Sequence, residues 1–210
     1  MFCGRRENEV PLLLQGLDAC ICADCVKMAG DYLKDFDKSA KSSKPLDKVD
    51  SLGLTVEAIL LTHGHFDHVG AVEALVGRTG CKLWMSESDW SQKISPMTAY
   101  FYPIANCDFT EVNFCADAEV IHAGGLRFVT LATPGHTHGS VCFQCENALF
   151  TGDTLFAGSC GRTDLPGGAG KLLQFSLERL AELEGDFIIF PGHGESTTLA
   201  EEKKYNPYLR

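Results

Sequence analysis

The stretch Thr62-His63-Gly64-His65-Phe66-Asp67-His68 places three histidines and one aspartate within six residues. An apolar run precedes it at 59–61, and apolar residues at helical spacing follow it at 69–76. This order predicts a buried strand that ends in a turn and is followed by a helix. Neutral imidazoles and carboxylates are ligands that zinc and iron prefer, so the turn is predicted to bind metal.

Residues able to bind metal follow apolar strands at four places in the chain. In the first, His63 and His65 share one side of an extended chain, while Asp67 and His68 come after the turn. Glycine adjoins the residue at each of the other places and permits a tight backbone turn. Because strand ends of one sheet layer lie side by side, seven ligands are expected to converge: His63, His65, Asp67, His68, His136, Asp153 and His193. Seven ligands divide into two sets of three and one shared carboxylate, which suits two metal ions about 3.5–4 Å apart with a hydroxide between them.

Composition restricts the classes of protein that the chain can belong to. Its 210 residues, 45% apolar and 22% charged, are enough for one packed domain of the α/β type. A net charge of -10 disfavours a nucleic-acid surface. No apolar run reaches the roughly 18 residues of a membrane span, and no export signal is found. We therefore predict a cytoplasmic protein, and we expect a monomer or homodimer.

The ten cysteines are predicted to be free thiols, because the chain is long and carries no export signal. Cys20, Cys22 and Cys25 form one cluster, and Cys142 and Cys145 form another. A structural zinc site built from both clusters is the less favoured interpretation, because they lie far apart in sequence. Cys142 and Cys145 also fall in a predicted strand, where residues three apart point to opposite faces.

Outside the ligand stretches, the patterns predict an α/β chain. Strands are expected at 12–17, 55–61, 81–85, 120–122, 126–132, 141–145, 148–151 and 187–190, and helices at 31–39, 46–52, 69–78, 86–90, 171–184 and 198–204. Residues 95–110 have two prolines and no period, which predicts a long surface loop. Its aromatic residues Tyr100, Phe101 and Tyr102 either line a substrate entrance or pack on their own domain.

Four motifs together resemble the metallo-β-lactamase fold superfamily, and within it the short glyoxalase II-like hydrolases. They are T-H-G-H-F-D-H at 62–68, T-P-G-H-T at 133–137, G-D-T-L-F at 152–156 and P-G-H-G at 191–194. Residues 158–168 and 201–209 resemble the same subgroup, so the resemblance covers roughly 50–210. It implies a four-layer αββα sandwich with a dinuclear metal site at one edge of the sheets.

The resemblance also implies a role for each ligand. The first metal would be bound by His63, His65 and His136. The second would be bound by Asp67, His68 and His193, with Asp153 as the bridge. The implied metals are two divalent ions, zinc before iron or manganese. They would support hydrolysis of an acyl thioester of the hydroxyacylglutathione type by a metal-bridging hydroxide.

Two further roles are predicted around this site. Asp67 is the catalytic candidate, since its carboxylate can orient the hydroxide as well as bind metal. Arg162 is the candidate for the substrate carboxylate, because a guanidinium fork suits bidentate binding. A structural salt bridge between Arg162 and Asp164 is an equally open alternative.

The N-terminal part departs from the family pattern. Family members open with strands that carry an N-C-Y-like segment and an I-D-P-G-like turn, and residues 1–45 contain neither. We treat 1–210 as a single metallo-β-lactamase-like domain with an atypical start, which is either divergent or out of frame. Its N-terminal strands are then uncertain, and the core is expected to be short of apolar cover. Full-length glyoxalase II also has a helical C-terminal domain that helps to bind glutathione, and the resemblance does not extend to it. The thiol carrier of the substrate is therefore left open.

Three alternative functions remain open at the level of sequence. A persulfide dioxygenase would use a single iron held by His63, His136 and Asp153. A nuclease of the same superfamily is disfavoured by the acidic balance of the chain. An inactive product would follow if the abnormal N-terminus prevents folding.

Overall fold

A computed structural model describes residues 13–15, 20–22, 51–92, 96–106 and 111–209. The chain divides into two compact units, Met1–Thr55 and Val56–Arg210. In the first unit, β1 (Leu13–Gln15) and β2 (Cys20–Cys22) form an antiparallel pair. The helix predicted at 31–39, and all but the end of the one predicted at 46–52, lie outside the described residues.

The second unit contains two main sheets. Its first strands are β3 (Ala58–Leu60), β4 (Lys82–Met85) and β5 (Val112–Phe114), which form a parallel sheet in that order. They are followed by β6 (Val120–Ala123), β7 (Leu126–Ala132), β8 (Val141–Cys145), β9 (Ala148–Gly152), β10 (Leu155–Phe156), β11 (Ser159–Cys160), β12 (Ile188–Pro191) and β13 (Thr197–Thr198). Strands β10 and β11 form a hairpin, and the other six form one sheet in the order β13-β12-β9-β8-β7-β6.

Six α-helices are described in this unit. They are α1 (Phe66–Val69), α2 (Val72–Thr79), α3 (Glu87–Trp90), α4 (Pro96–Phe101), α5 (Gly170–Ala181) and α6 (Leu199–Tyr205). None of the helices in the described part of the chain is both long and apolar enough to span a membrane.

Three apolar clusters separate the layers of the second unit. Leu177 of α5 packs against strand residues of the six-stranded sheet. Val72 of α2 belongs to a second cluster with Leu83 of the three-stranded sheet. Between the sheets, Phe143 of the larger sheet packs with Trp84 of the smaller one. The order is helix, sheet, sheet, helix, so the predicted αββα sandwich is confirmed.

The predicted elements of the second unit are present, with two differences. The helix expected at 69–78 is divided, because α1 begins inside the histidine stretch and ends at Gly70, a residue of low helix propensity. The prediction of a structureless loop at 95–110 was wrong in part, since α4 and a 3₁₀ helix (Pro103–Asn106) occupy most of its described residues. Each is too short to show a helical period in sequence, and proline is favourable at the start of a helix.

The smaller sheet ends at β3 within the described residues. A cavity of about 370 Å³ adjoins this strand and is lined by apolar residues of both sheets, including Leu60, Phe128, Phe143, Phe150 and Phe190.

Truncating Leu180 to alanine is expected to destabilise the protein by about 2–5 kcal/mol, because a fully buried side chain leaves a cavity. Leu180 is 0% exposed on the inner face of α5. Leu172 lies on the same helix but is 39% exposed, and Leu172→Ala should cost less than about 1 kcal/mol. Urea unfolding of the two variants measures the difference, and equal losses would contradict the packing of α5.

Candidate metal centre

Four segments that follow strands carry the predicted ligands. The histidine stretch follows β3, and His136 lies in the turn between β7 and β8. Asp153 follows β9, and His193 comes shortly after β12. Because β9 and β12 are parallel neighbours, Asp153 and His193 emerge at the same edge of the larger sheet. All seven predicted ligands meet there, in groups whose ligand atoms lie within 4.8 Å of one another.

The first group, His63, His65 and His136, is buried. The three side chains are 1–3% exposed, and His65 Nδ1 lies 2.9 Å from His136 Nε2. Burial lowers the pKa of His65 to about 4 and holds the pKa of His63 well below its ordinary value, and neighbouring histidines add to both shifts. His63 and His65 are therefore neutral at pH 7, which is the form that binds metal.

The second group, Asp67, His68 and His193, faces solvent. His193 Nε2 lies 3.2 Å from Asp67 Oδ2 and 3.3 Å from His68 Nε2. The side chains of His193 and Asp67 are 55% and 39% exposed. A substrate can therefore reach the second group from solvent more easily than the buried first group.

Asp153 lies between the two groups. Its Oδ1 is 3.3 Å from His68 Nε2, and its Oδ2 is 3.5 Å from both His136 Nε2 and His193 Nε2. Burial alone would raise the pKa of Asp153, but the neighbouring histidines outweigh it, so the pKa lies below its ordinary value. One ionised carboxylate thus reaches ligands of both groups.

The donor set fits divalent metal ions. His63 Nε2, His65 Nε2 and Asp153 Oδ1 are buried atoms without a hydrogen-bond partner, although such atoms normally have one. The Nδ1 of His136 instead donates a hydrogen bond to the Arg162 carbonyl at 2.7 Å. This bond leaves Nε2 of His136 with a lone pair directed to the site, as is typical of metal-binding histidines. Bound cations would satisfy His63 Nε2 and Asp153 Oδ1, whereas His65 approaches the site through its Nδ1, which lies beside His136 Nε2.

The Arg162 side chain forms a bidentate ion pair with Asp164. Its Nε and one terminal nitrogen each donate to a carboxylate oxygen of Asp164 at 2.6 Å, and both side chains are exposed. The salt bridge between Arg162 and Asp164 is thus present. The binding of a substrate carboxylate by Arg162 stays a prediction. The contact between the Arg162 carbonyl and His136 was not predicted, because a backbone acceptor leaves no sequence signal.

The aromatic residues before Pro103 have different surroundings. Tyr102 is fully buried, its ring lies 5.0 Å from that of His65, and its hydroxyl donates to the Pro166 carbonyl at 2.9 Å. Tyr100 is 69% exposed, and its ring lies 6.0 Å from that of Phe66, which is itself 48% exposed. Tyr102 therefore packs on its own domain, whereas Tyr100 and Phe66 are accessible beside the ligand stretch.

Two histidines outside the predicted ligand set lie away from these groups. His138 and His122 are both exposed and belong to none of the metal-binding groups found among the described residues. Cys142 and Cys145 are buried free thiols in β8, and Cys142 packs in the core beneath α5.

A buried carboxylate, that of Asp89, was also not recognised from the sequence as part of the site. It accepts hydrogen bonds from both segments that carry the first group. Its position in Ser86-Glu87-Ser88-Asp89 predicts only a short helix with a serine cap. The structure has that helix, α3.

Known proteins resemble this chain in sequence and in fold. The Metallo-beta-lactamase superfamily matches residues 29–193. Hydroxyacylglutathione hydrolase GloC of Haemophilus influenzae is 36% identical over 181 residues, which cover 83% of this chain and 85% of that protein. TTHA1623, solved in a di-iron-bound form, has a TM-score of 0.66 at 36% identity and covers 80% of this chain and 86% of its own. ETHE1 from Myxococcus xanthus has a TM-score of 0.63 at 31% identity, covering 83% of this chain and 69% of its own.

An αββα sandwich with adjoining histidine and carboxylate groups at one sheet edge defines a class of proteins that bind divalent metals. The chain belongs to the metallo-beta-lactamase superfamily, as its motifs predict. The ClpX C4-type zinc finger is a second match, confined to residues 1–35. That segment contains Cys3, Cys20, Cys22 and Cys25.

Proposed function

We propose that the protein is a metal-dependent hydrolase that cleaves acyl thioesters of the hydroxyacylglutathione type. The observation that carries the proposal is the position of Asp153, whose two oxygens reach ligands of both groups. Similarity to GloC supports the substrate class. We further propose that it acts in the cytoplasm, as a monomer or homodimer.

The residues of each group have distinct roles in this proposal. His63, His65 and His136 would hold one metal ion, Asp67, His68 and His193 would hold the other, and Asp153 would contribute to both. Two bound divalent ions would lower the pKa of a water molecule and polarise the substrate carbonyl.

The side chains at the exposed side of the site would position the reactants. Asp67 has a partly exposed carboxylate that can accept a hydrogen bond from the attacking water and orient it toward the carbonyl carbon. Arg162 would bind a carboxylate of the substrate, at the expense of its exposed pair with Asp164. A thiolate is a stable leaving group, so no strong protein acid is required.

Zinc is the metal that we propose for both groups, with iron or manganese as alternatives. Histidine and carboxylate ligands suit all three metals, so the ligand types do not select among them. The di-iron form of TTHA1623 supports iron as the first alternative.

A persulfide dioxygenase with one iron is the second candidate. His63, His136 and Asp153 would be its ligands. Similarity to ETHE1 from Myxococcus xanthus supports this candidate, so the experiment below tests it as well. The presence of the second group does not decide between the two candidates, whereas the identity and number of the bound metal ions do.

The two functions are separated by assaying one preparation with both substrates. We expect thiol release from a hydroxyacyl thioester of glutathione and no oxygen uptake with glutathione persulfide. The thioester of cysteamine, which lacks the carboxylates of glutathione, should show a higher KM if Arg162 binds a carboxylate. Oxygen uptake without thiol release would overturn the hydrolase proposal.

A further inference from the structure

Asp89 connects the two segments that carry the first histidine group. Its Oδ2 accepts hydrogen bonds from the Gly64 N–H at 2.8 Å and from the Thr137 hydroxyl at 2.9 Å. Its Oδ1 accepts one from the Gly139 N–H at 2.8 Å. Gly64 lies between His63 and His65, and Thr137 directly follows His136. One carboxylate therefore bonds to both halves of the group.

The hydrogen-bond partners of Asp89 suit an ionised carboxylate better than a protonated one. All three partners are donors, and an ionised carboxylate is a pure acceptor with several lone pairs. The side chain is 0% exposed, and all three donors are groups of the protein. Burial raises the pKa of Asp89, and the three hydrogen bonds offset only part of that shift.

The fit around Asp89 is also tight. A Cβ atom at Gly139 would stand 2.6 Å from Asp89 Oδ1 and 2.0 Å from Ser86 Oγ, closer than such atoms approach in proteins. The Asp89 N–H donates to the Ser86 hydroxyl at 3.2 Å, which fixes the start of α3 beneath the carboxylate. The carboxylate is thus held in place by its own helix while it holds the two segments.

We propose that Asp89 is a positioning residue that sets the separation between His65 and His136 and thereby the affinity of the first group for its metal ion. The proposal rests on the metal centre of the proposed function but not on the reaction that the centre catalyses. Partners that orient metal ligands typically contribute 10–100-fold to metal affinity. The negative charge of Asp89, buried near His136, would also favour a cation in the first group.

The test measures zinc affinity and stability separately. Zinc would be titrated into metal-free Asp89→Asn protein by chelator competition, and unfolding of the metal-free protein would be followed by heating. We expect one of the two zinc ions of the centre to bind 10–100-fold more weakly. The other should change less than about threefold, because the hydrogen-bond partners of Asp89 do not adjoin its ligands. Any zinc bound by residues 1–35 is common to all variants and cancels in the comparison.

Glu202→Gln is the matched control for the loss of a buried carboxylate. Glu202 is 4% exposed and accepts from the Gly158 N–H, the Thr197 hydroxyl and the Asn206 side chain. None of these partners adjoins a predicted ligand. This variant should lower the unfolding temperature while both zinc affinities stay within about threefold.

Thr137→Val provides a milder change if Asp89→Asn does not fold. It removes one of the three donors and keeps the side-chain volume, so a loss of about 3–10-fold in the same zinc affinity is expected, below that of losing a whole ligand partner. Unchanged zinc affinities in a folded Asp89→Asn or Thr137→Val protein would overturn the proposal. Equal weakening of zinc binding in Glu202→Gln would overturn it as well, because the effect would then follow from stability alone.

Discussion

Asp153→Asn is expected to lower kcat/KM for thioester hydrolysis by about 10³-fold or more and to remove at least one metal ion. Groups that only orient a ligand typically cost 10–100-fold, and Asp153 reaches ligands of both groups. An asparagine keeps one acceptor oxygen, while its NH₂ group repels a cation. Steady-state kinetics and elemental analysis of the same preparation measure the two effects.

Asp117→Asn is the control for this variant. Asp117 pairs with Arg179 on the surface and accepts from the Ala132 N–H, away from the ligands. We expect its kcat/KM to stay within about threefold of the original, as for distant independent sites. Full metal content with undiminished activity in Asp153→Asn would contradict the bridging position.

His136→Ala is expected to cause a second large loss, again of about 10³-fold or more in kcat/KM, because the first group is left with two ligands instead of three. Its neighbour His138 provides a close control, since it lies two residues further along the same turn. His138 is exposed and belongs to no metal-binding group among the described residues. His138→Ala should therefore keep metal content and activity within about threefold of the original.

The tautomer of His136 can be tested by a second measurement. The hydrogen bond from His136 Nδ1 to the Arg162 carbonyl leaves Nε2 as the metal-binding atom. Nitrogen chemical shifts of the zinc-loaded protein should show Nε2 of His136 bound and Nδ1 protonated. Equal losses of metal in His136→Ala and His138→Ala would contradict this assignment of ligands.

The convergence of the seven residues could be predicted from sequence because each of them lies in a short segment that follows a strand. Strand ends in one layer must meet at an edge, so His136, Asp153 and His193 could be placed together without knowing the strand order. The burial of His63 and His65 was not predicted, because the sequence pattern assigns burial only to the strand before them. The division into a buried and an exposed group follows from the sandwich and not from any local pattern.

The supporting contacts could not be predicted from the sequence. Asp89 is separated from Gly64 by 25 residues and from Gly139 by 50, and its local sequence indicates only a helix cap. The Arg162 carbonyl that holds His136 is a backbone atom, which every residue type supplies. Such contacts depend on how distant segments pack, and a single sequence carries no signal for that.

The N-terminal cysteines are predicted from sequence to be free thiols, because the chain is long and carries no export signal. Residues 1–35 instead match the ClpX C4-type zinc finger, a kind of segment whose cysteines bind zinc. Small cysteine-rich segments have too little core to fold without a metal or disulfides. The single-domain division of 1–210 stays a prediction, and zinc bound by these cysteines must be counted separately from the histidine site.

Elemental analysis of protein purified without added metal tests the dinuclear centre most directly. The analysis would be made on the original chain and on a Cys22→Ser/Cys25→Ser variant, which removes any contribution of the N-terminal cysteines. We expect about two equivalents of zinc, or of zinc and iron together, in the cysteine variant. About one equivalent of iron alone would point to the dioxygenase, and no bound metal would contradict the convergence of the seven ligands.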